Sequence, residues 1–330
     1  MLVKADRLDA FFMIKGRRYV SDGRLFLNAS GGSVQGDFQG TMLSLRVYSE
    51  YEEKGRNAYV RLTVDGRTRR VRLPQGEKVL TVQAGAGVHR FEIVKLTEST
   101  NNSFALTEAE TDGKFESERE NSDLRIEFIG DSITTGFGVL CRETYGEYKT
   151  KEQDFTKAFP YLASKALHAD YRVVAAGGWP IYKSKYAPYA IPDYYDNTDL
   201  LRNREAYDHT EYTPDVVVVT LGTNDFSYLA NLEESERISE REEVCRHFIA
   251  FLYRLLNYYP VARIILLYGF FEYPDLGVLT EEVAKEIASP RIATLETRSA
   301  ASFHDICAGH PGKRTHSYTA KLLVKTINRM

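Results

Sequence analysis

Residues 125–133 read RIEFIGDSI, an apolar run that ends in glycine, aspartate and serine. Comparable runs follow at 171–175 (YRVVA), 215–222 (DVVVVTLG), 263–269 (RIILLYG) and 291–296 (RIATLE). Stretches with helical character separate or follow them, near 155–168, 239–258, 280–288 and 314–328. Apolar strands that alternate with helices are typical of a parallel sheet covered by helices on both faces. The sequence therefore predicts an α/β domain over residues 124–330.

The preceding part of the chain has a different pattern of predicted elements. Short runs rich in Val, Thr, Tyr and Phe predict strands at 25–29, 42–48, 59–64, 79–82 and 91–96. Asp65 and Gly66 lie between two alternating runs, which is a strong hairpin signal. We interpret SGGSVQGD (30–37) and AGAG (84–87) as turns. Strands without intervening helices predict an antiparallel β-sandwich over residues 1–112, joined by a polar, acidic linker (113–123) to the α/β domain.

Composition limits the class of protein. The 330 residues carry 43 basic and 46 acidic side chains, for a formal net charge of −3, and 43% of them are hydrophobic. This balance argues against a disordered chain and gives no general attraction to nucleic acid or to an anionic membrane. The apolar runs are far shorter than the roughly 20 residues that a membrane span needs.

The cell compartment is predicted from two features. The N-terminal residues contain no apolar segment of about 7–15 residues followed by a cleavage site, so we expect no secretory signal. Cys141, Cys245 and Cys307 are odd in number and widely spaced, and we interpret them as reduced thiols rather than as a disulfide framework or a zinc site. The expectation is a cytoplasmic protein; a secreted protein whose signal had been removed would look the same.

Three predicted strands are followed by residues that can carry chemistry. Ser132 follows the first in the motif GDS, Gly178 follows the second in AGGW, and Asn224 follows the third in GTND. Functional groups of parallel sheets lie beyond the carboxyl ends of the strands. There, a serine can act as nucleophile, while a glycine N–H and an asparagine amide can bind an oxyanion. Singly, each has an ordinary explanation: a helix cap, a strand-ending turn and an Asx-turn.

A histidine before the last predicted helix is the candidate base. His310 precedes Pro311 in a loop that we expect to return to the same edge of the sheet. His316, in the first turn of that helix, is the competing candidate. The order of the four signals along the chain, serine, glycine, asparagine and histidine, is more specific than any one of them.

Each of the four signals lies in a short sequence block: GDS is the first block, AGGW the second, GTND the third and His310-Pro311 the fourth. This order of blocks resembles the SGNH (GDSL-type) hydrolase superfamily over about residues 124–330. The segments IEFIGDSITTGFGV, TKAFPYLASKAL, GGWPIY and LGTNDF are also similar to carbohydrate esterase family 2, the acetyl esterases that act on plant-polysaccharide sugars. The N-terminal segment DGRLFLNASGGSVQGDFQGTMLSL is similar to the start of the jelly-roll domain of that family. The resemblance implies a three-layer α/β/α hydrolase domain preceded by a jelly-roll β-sandwich.

The resemblance also implies acyl transfer through a serine ester. Ser132 would be the nucleophile and His310 the base. The backbone N–H groups of Ser132 and Gly178 and the side-chain amide of Asn224 would hold the oxyanion. No cofactor and no metal are implied.

The orientation of the histidine ring departs from many relatives of this superfamily. They place an aspartate two or three residues before the histidine, where this chain has Cys307 and Ala308. The nearest carboxylate is that of Asp305. Either the loop brings Asp305 to His310, or a backbone carbonyl orients the ring in a Ser–His dyad. We favour the carbonyl.

Aromatic residues after the second and third blocks are expected beside the cleft, because aromatic faces suit sugar rings. Trp179, Tyr182 and Phe226 are the candidate substrate-binding residues, with Tyr186 and Tyr228 nearby; burial in the core is the alternative for some of them. The expected partner is an acetylated xylan- or mannan-type oligosaccharide, rather than nucleic acid or a membrane. The oligomeric state is left open. The alternatives are a lipase- or thioesterase-type hydrolase of longer acyl chains and a non-catalytic carbohydrate-binding protein.

Overall fold

The computed structural model describes residues 1–116, 122–141 and 149–330. Two large sheets follow one another along the chain. The N-terminal sheet pairs its strands antiparallel, and the C-terminal sheet pairs them parallel. The expected α/β class, with an antiparallel domain before a parallel sheet, is confirmed.

Ten described strands form the N-terminal sheet. They are β1 (Leu2–Lys4), β2 (Met13–Lys15), β3 (Tyr19–Ser21), β4 (Arg24–Phe26), β5 (Ser33–Ser49), β6 (Tyr59–Val64), β7 (Arg67–Arg72), β8 (Gly76–Lys95), β9 (Ala105–Thr111) and β10 (Lys114–Glu116). One helical turn, α1 (Leu8–Phe11), precedes β2. The main path of pairing is β3-β4-β9-β5-β8-β6-β7. Asp65 and Gly66 form the two-residue turn between β6 and β7, as the sequence predicts.

The two longest strands run through segments that the sequence assigns to turns. β5 includes residues 33–37 of SGGSVQGD, and β8 continues through AGAG at 84–87. The two strands pair with each other along most of their length, with an irregularity between Gly40 and Met42. The pairing covers residues 33–37, so tertiary context overrides the local turn preference there, whereas residues 84–86 lie in the break of the register, between the pairs Gly40–Gly87 and Met42–Gln83.

Buried aliphatic and aromatic side chains form the core of the N-terminal domain, among them Phe38, Phe91 and Phe104. Residues 114–116, which the sequence assigns to the linker, instead form β10 and pair with β5. The rest of the expected linker includes residues 117–121, which lie outside the described ranges. The jelly-roll connectivity stays a prediction.

Five strands form the parallel sheet within the described residues. They are β11 (Arg125–Gly130), β12 (Asp170–Ala175), β13 (Val216–Thr220), β14 (Arg263–Tyr268) and β15 (Ile292–Glu296), in the spatial order β12-β11-β13-β14-β15. The helices are α2 (Ser132–Thr135), α3 (Phe159–Ala166), α4 (Ile191–Tyr194), α5 (Thr223–Leu229), α6 (Glu234–Tyr258), α7 (Pro274–Ile287) and α8 (Lys313–Ile327). A small hairpin of β16 (Ile306–Cys307) and β17 (His310–Pro311) precedes α8.

Alternate residues of β13 face two different layers of helices. Val217 and Val219 pack in a cluster with side chains of α5, α6 and α7, whereas Val216 and Val218 pack in a cluster with side chains of α3 and α8. This alternation produces three layers, with the sheet in the middle. α7 begins at Pro274, earlier than the expected start at residue 280, because proline is well suited to the first helical turn.

Buried polar contacts join the two domains. Arg17 donates from Nη1 to the carbonyl of Asn197 at 2.9 Å, and its Nη2 lies 3.5 Å from Oε1 of Glu127. Tyr171 in the parallel sheet donates its hydroxyl to the carbonyl of Gly31 at 3.0 Å. The two domains therefore share a packed interface. In the described ranges, no helix combines the length and apolarity required to cross a bilayer.

Candidate active site

Ser132 lies at the carboxyl end of β11, as the first residue of α2. The turn before it is tight, since a Cβ on Gly130 would lie only 2.0 Å from Oγ1 of Thr134. The helix cap is Asp131, whose Oδ1 accepts the N–H of Ile133 at 2.9 Å. Capping is therefore performed by the residue before the serine, and the Ser132 hydroxyl is directed elsewhere. Its Oγ lies 2.9 Å from Nε2 of His310.

His310 is held by the short hairpin of β16 and β17. Its Nδ1 lies 3.0 Å from the carbonyl oxygen of Ala308, which can only accept, so this contact assigns the proton to Nδ1. Nε2 is then left as the acceptor of the Ser132 hydroxyl. The ring of Phe137 packs against the imidazole, with 4.2 Å between centroids. Burial lowers the pKa of His310, which favours the neutral ring that a general base requires.

Asp305 does not reach the imidazole as a partner of Nδ1. Its Oδ2 accepts the N–H of Thr315 at 2.8 Å and the hydroxyl of the same residue at 3.2 Å. Asp305 therefore caps the start of α8. The competing histidine, His316, is fully buried and accepts the N–H of Phe159 at its Nδ1, 3.2 Å away. Burial lowers the pKa of His316 to about 3, so it remains a neutral core residue.

A disulfide joins the histidine hairpin to the loop after α2, and the expectation that the cysteines are reduced is wrong for two of them. Cys141 and Cys307 are bonded, with their Cα atoms 5.7 Å apart, while Cys245 is free. The two partners are 166 residues apart in sequence, and only the fold brings them together. The cysteines therefore no longer support a reducing compartment, and the cytoplasmic location stays a prediction.

The second block places two glycines in the cleft. Gly178 has φ +80°, a conformation that favours glycine, and a Cβ there would lie 3.0 Å from the Cβ of Tyr186. The N–H of Gly177 donates to Oε2 of Glu98, a residue of the N-terminal domain, at 2.7 Å. Behind them, the carboxylate of Asp225 accepts the N–H groups of residues 181–183 at 2.9, 2.8 and 3.3 Å. Asp225, the last residue of the GTND motif, therefore fixes the loop that follows Gly178.

The third block places the Asn224 amide between two acceptors. Its Nδ2 lies 3.1 Å from Oδ2 of Asp131 and 3.1 Å from the carbonyl oxygen of Trp179. These contacts fix the orientation of the amide and engage both of its hydrogens. Asn224 would therefore have to share a hydrogen with an oxyanion. Burial is the largest cause that raises the pKa of Asp131 to about 7, so its carboxyl group is far less acidic than an exposed one.

These groups open into one cleft of about 710 Å³ at the boundary of the two domains. Ser132, Gly178, Asn224 and His310 all line it, so the fold brings the four sequence-predicted residues together. The other lining residues are Arg56, Glu98, Thr100, Asn101, Phe137, Gly177, Tyr186, Thr223, Ser227, Phe271, Tyr273, Ala308 and Gly309.

The aromatic residues expected to bind substrate lie elsewhere. Trp179 and Phe226 are only 2% and 7% exposed and belong to the core between the sheet and α5 to α7. Tyr182 stacks on His247, with ring centroids 4.3 Å apart. None of these three residues is on the lining of the cleft, which corrects the expectation: Trp179 and Phe226 are buried in the apolar core, and the half-buried Tyr182 packs on His247. Tyr186, also expected beside the cleft, does line it.

Several residues line the cleft that the sequence does not predict. Glu98 and Asn101 come from the N-terminal domain, and Phe271 and Tyr273 come from the loop after β14. That loop follows a strand of the parallel sheet, so its position was a usable signal. Nothing local marks Glu98 or Asn101, because their role depends on how the two domains pack. Among the described residues, no three His, Cys, Asp or Glu side chains converge as a group that could hold a metal ion.

Two family models match consecutive parts of the chain. Residues 14–117 match the Carbohydrate esterase 2 N-terminal model. Residues 128–322 match the GDSL-like Lipase/Acylhydrolase family, and this match covers more than half of the chain.

Individual relatives resemble the chain over both domains. An acetylxylan esterase / glucomannan deacetylase of Cellvibrio japonicus is 29% identical over 257 residues, which cover 74% of this chain and 70% of that protein. The structure of an acetyl xylan esterase from the rumen bacterium Butyrivibrio proteoclasticus superposes with a TM-score of 0.90 at 20% identity, covering 100% of this chain and 98% of the other. A family two carbohydrate esterase from Clostridium thermocellum, solved in complex with cellohexaose, gives a TM-score of 0.86 at 22% identity, covering 96% and 98%.

Proposed function

Because the chain belongs to the GDSL-like lipase/acylhydrolase family, we propose that it is a serine esterase that removes O-acetyl groups from sugars of xylan- or mannan-type oligosaccharides. The observation that carries this proposal is the 2.9 Å contact between Ser132 Oγ and His310 Nε2 in a cleft lined by both domains. The relative from Cellvibrio japonicus, an acetylxylan esterase / glucomannan deacetylase, supports the acetyl group and the polysaccharide class.

Formation of the acyl-enzyme begins at Ser132. Its Oγ attacks the acetyl carbonyl carbon while Nε2 of His310 takes the hydroxyl proton. The tetrahedral intermediate then collapses, and the imidazolium returns that proton to the departing sugar oxygen. The products of this half-reaction are a deacetylated hydroxyl on the sugar and an acetyl ester on Ser132.

Hydrolysis of the acyl-enzyme repeats the same proton transfers with water as nucleophile. His310 takes a proton from water, the hydroxide oxygen attacks the acetyl carbon, and the proton returns to Ser132 Oγ as acetic acid leaves, which then ionises to acetate in solution. Throughout, the carbonyl of Ala308 holds the ring by accepting from Nδ1 at 3.0 Å. A carbonyl orients the imidazolium but stabilises its charge less than a carboxylate does.

The oxyanion of each tetrahedral intermediate would be held by three donors: the N–H of Ser132, the N–H of Gly178 and the side-chain amide of Asn224. The positive φ of Gly178 permits the peptide arrangement of its loop without steric cost. Asn224 is already oriented by Asp131 and the carbonyl of Trp179, so little rearrangement is needed when it shares one hydrogen with the substrate.

The walls of the cleft favour a saccharide ester over a long acyl chain. Polar side chains of Thr100, Asn101 and Ser227 stand on the lining together with the rings of Tyr186 and Tyr273. Hydroxyl and amide groups suit sugar hydroxyls, and aromatic faces suit the apolar faces of sugar rings.

The test is acetate release from acetylated xylo- and manno-oligosaccharides by the wild-type protein. Ser132→Ala and His310→Ala should lose nearly all activity while keeping the wild-type unfolding temperature. A comparison of 4-nitrophenyl acetate with 4-nitrophenyl octanoate addresses the lipase or thioesterase alternative. Preference for octanoate would contradict the proposal, as would binding of the oligosaccharides without release of acetate.

A further inference from the structure

A turn of the N-terminal domain, residues 97–102, reaches the catalytic cleft. Its residue Glu98 is buried, and its Oε2 accepts the N–H of Gly177 at 2.7 Å. The other carboxylate oxygen accepts Nδ2 of Asn101 at 3.0 Å. A Cβ on Gly177 would lie only 2.9 Å from Oε2 of Glu98, so a larger residue there would displace the carboxylate. The carboxylate thus binds the Ala176–Gly177 peptide, which immediately precedes the peptide that carries the N–H of Gly178.

The same turn is also connected to the segment that carries the nucleophile. The N–H of Glu98 donates to Oε1 of Gln153 at 3.3 Å, and Nε2 of Gln153 donates to the carbonyl of Thr135 at 3.1 Å. Thr135 is the last residue of α2, which Ser132 begins. One turn of the N-terminal domain therefore contacts the Gly178 loop directly and the Ser132 helix through one buried side chain.

We propose that Glu98 is a positioning residue, which holds the Gly177–Gly178 segment so that the N–H of Gly178 points at the oxyanion. The inference rests on the esterase function proposed above. With the N–H of Gly177 bound to Glu98, the donor left for substrate in this segment is the next one along the chain. The antiparallel domain then contributes to catalysis through geometry rather than through contact with the reacting atoms.

The geometry and the charge of Glu98 have opposite effects. In its ionised form the carboxyl group of Glu98 disfavours the developing oxyanion, whereas in either form its hydrogen bond to Gly177 orders the donor beside it. Glu98→Gln keeps an acceptor oxygen for Gly177 and removes the charge; the Asn101 amide can turn to meet the new amide group. Glu98→Ala removes both the charge and the hydrogen bond. The two variants therefore separate positioning from electrostatics.

The experiment measures kcat and KM with 4-nitrophenyl acetate, whose small acyl and leaving groups demand little from the sugar site. Loss of one oxyanion donor costs about 10²–10³-fold, and misplacement of one should cost less, so Glu98→Ala should lower kcat by about 10- to 100-fold with KM changed by less than about threefold. Glu98→Gln should restore kcat to wild-type level or above.

Thr97→Val is the matched control for stability. The Thr97 hydroxyl is buried and donates to Oδ1 of Asn102 at 2.8 Å, in the same turn but without contact to Gly177. This variant should lower the unfolding temperature and leave kcat unchanged. The inference is overturned if folded Glu98→Ala keeps wild-type kcat, or if Glu98→Gln is as slow as Glu98→Ala. Activity retained in Ser132→Ala would instead overturn the proposed function itself.

Discussion

Replacement of Asp305 distinguishes a Ser–His dyad from a Ser–His–Asp triad. Oδ2 of Asp305 accepts both the N–H and the hydroxyl of Thr315, whereas Nδ1 of His310 donates to the carbonyl of Ala308. The carboxylate therefore stabilises the start of α8 and leaves the imidazole to the backbone. Asp305→Ala should consequently reduce stability and leave the catalytic chemistry almost intact.

The size of both effects follows from these contacts. Loss of a helix cap costs about 0.5–2 kcal/mol, and a hydrogen bond to a charged group contributes about 1.5–3 kcal/mol. Asp305 makes both hydrogen bonds to the same residue, Thr315, so their contributions are not fully additive. Asp305→Ala should therefore lower the free energy of unfolding by about 2 kcal/mol. A triad aspartate, by contrast, contributes about 10⁴-fold to kcat. In a dyad, the loss of kcat should stay below about tenfold.

Two measurements on three variants decide the question. Denaturant unfolding gives the stability of Asp305→Ala, Asp305→Asn and His310→Ala, and acetate release gives kcat for each. Asp305→Asn keeps an acceptor for the N–H of Thr315, so it should be more stable than Asp305→Ala and fully active. The dyad is refuted if folded Asp305→Asn or Asp305→Ala falls to the kcat of His310→Ala.

Three other perturbations have defined outcomes. Burial lowers the pKa of His316 from 6.5 to about 3. The unfolded chain therefore binds a proton at this residue first, and the free energy of unfolding decreases as the pH falls from 6.5 toward 3. In His316→Gln, the free energy of unfolding should depend less on pH over that range. Reduction of the Cys141–Cys307 disulfide with a dithiol should lower the free energy of unfolding by about 2–4 kcal/mol. It should also reduce kcat, because the bond anchors the His310 hairpin. In Cys141→Ser, neither stability nor kcat should respond to the dithiol. Tyr186→Ala should raise KM for acetylated oligosaccharides and leave 4-nitrophenyl acetate kinetics unchanged, because its ring stands on the cleft wall.

The parallel sheet could be predicted from sequence because its signal is local. Continuous apolar runs such as 216–220 need burial on both faces, and the structure buries every residue of that strand. The ends of these strands then locate the functional residues by a general rule. Ser132, Gly178 and Asn224 meet in one cleft because that rule concerns topology and does not depend on side-chain detail, and the hairpin before α8 brings His310 to the same edge.

Apart from Phe271 and Tyr273, whose loop follows a strand, the main features missed from the sequence depend on contacts between distant segments. The disulfide joins residues 166 apart, and Glu98 reaches Gly177 from another domain. Residues 33–37 become part of β5 despite their turn-like sequence because the distant strand β8 pairs with them. The orientation of Trp179 and Phe226 also could not be predicted, because a position beside a motif does not determine whether a side chain points to the cleft or to the core.

Three buried carboxyl groups order the loops behind the oxyanion site. Because burial favours their neutral form, they destabilise the protein and the oxyanion less than buried fixed charges would. Asp225 and Asp131 accept backbone N–H groups, as Glu98 does. Burial is the largest cause that raises the pKa of all three, to about 7 for Asp131 and Asp225. A neutral carboxyl group still offers an oxygen acceptor but does not repel an oxyanion. The contribution of Asp131 and Asp225 to stability is fully present below the unfolded pKa of about 4 and is lost as the pH rises through their folded pKa of about 7. The cost in stability therefore develops between about pH 4 and pH 7 and is constant above that range, and its sign is opposite to that of the dependence imposed by His316.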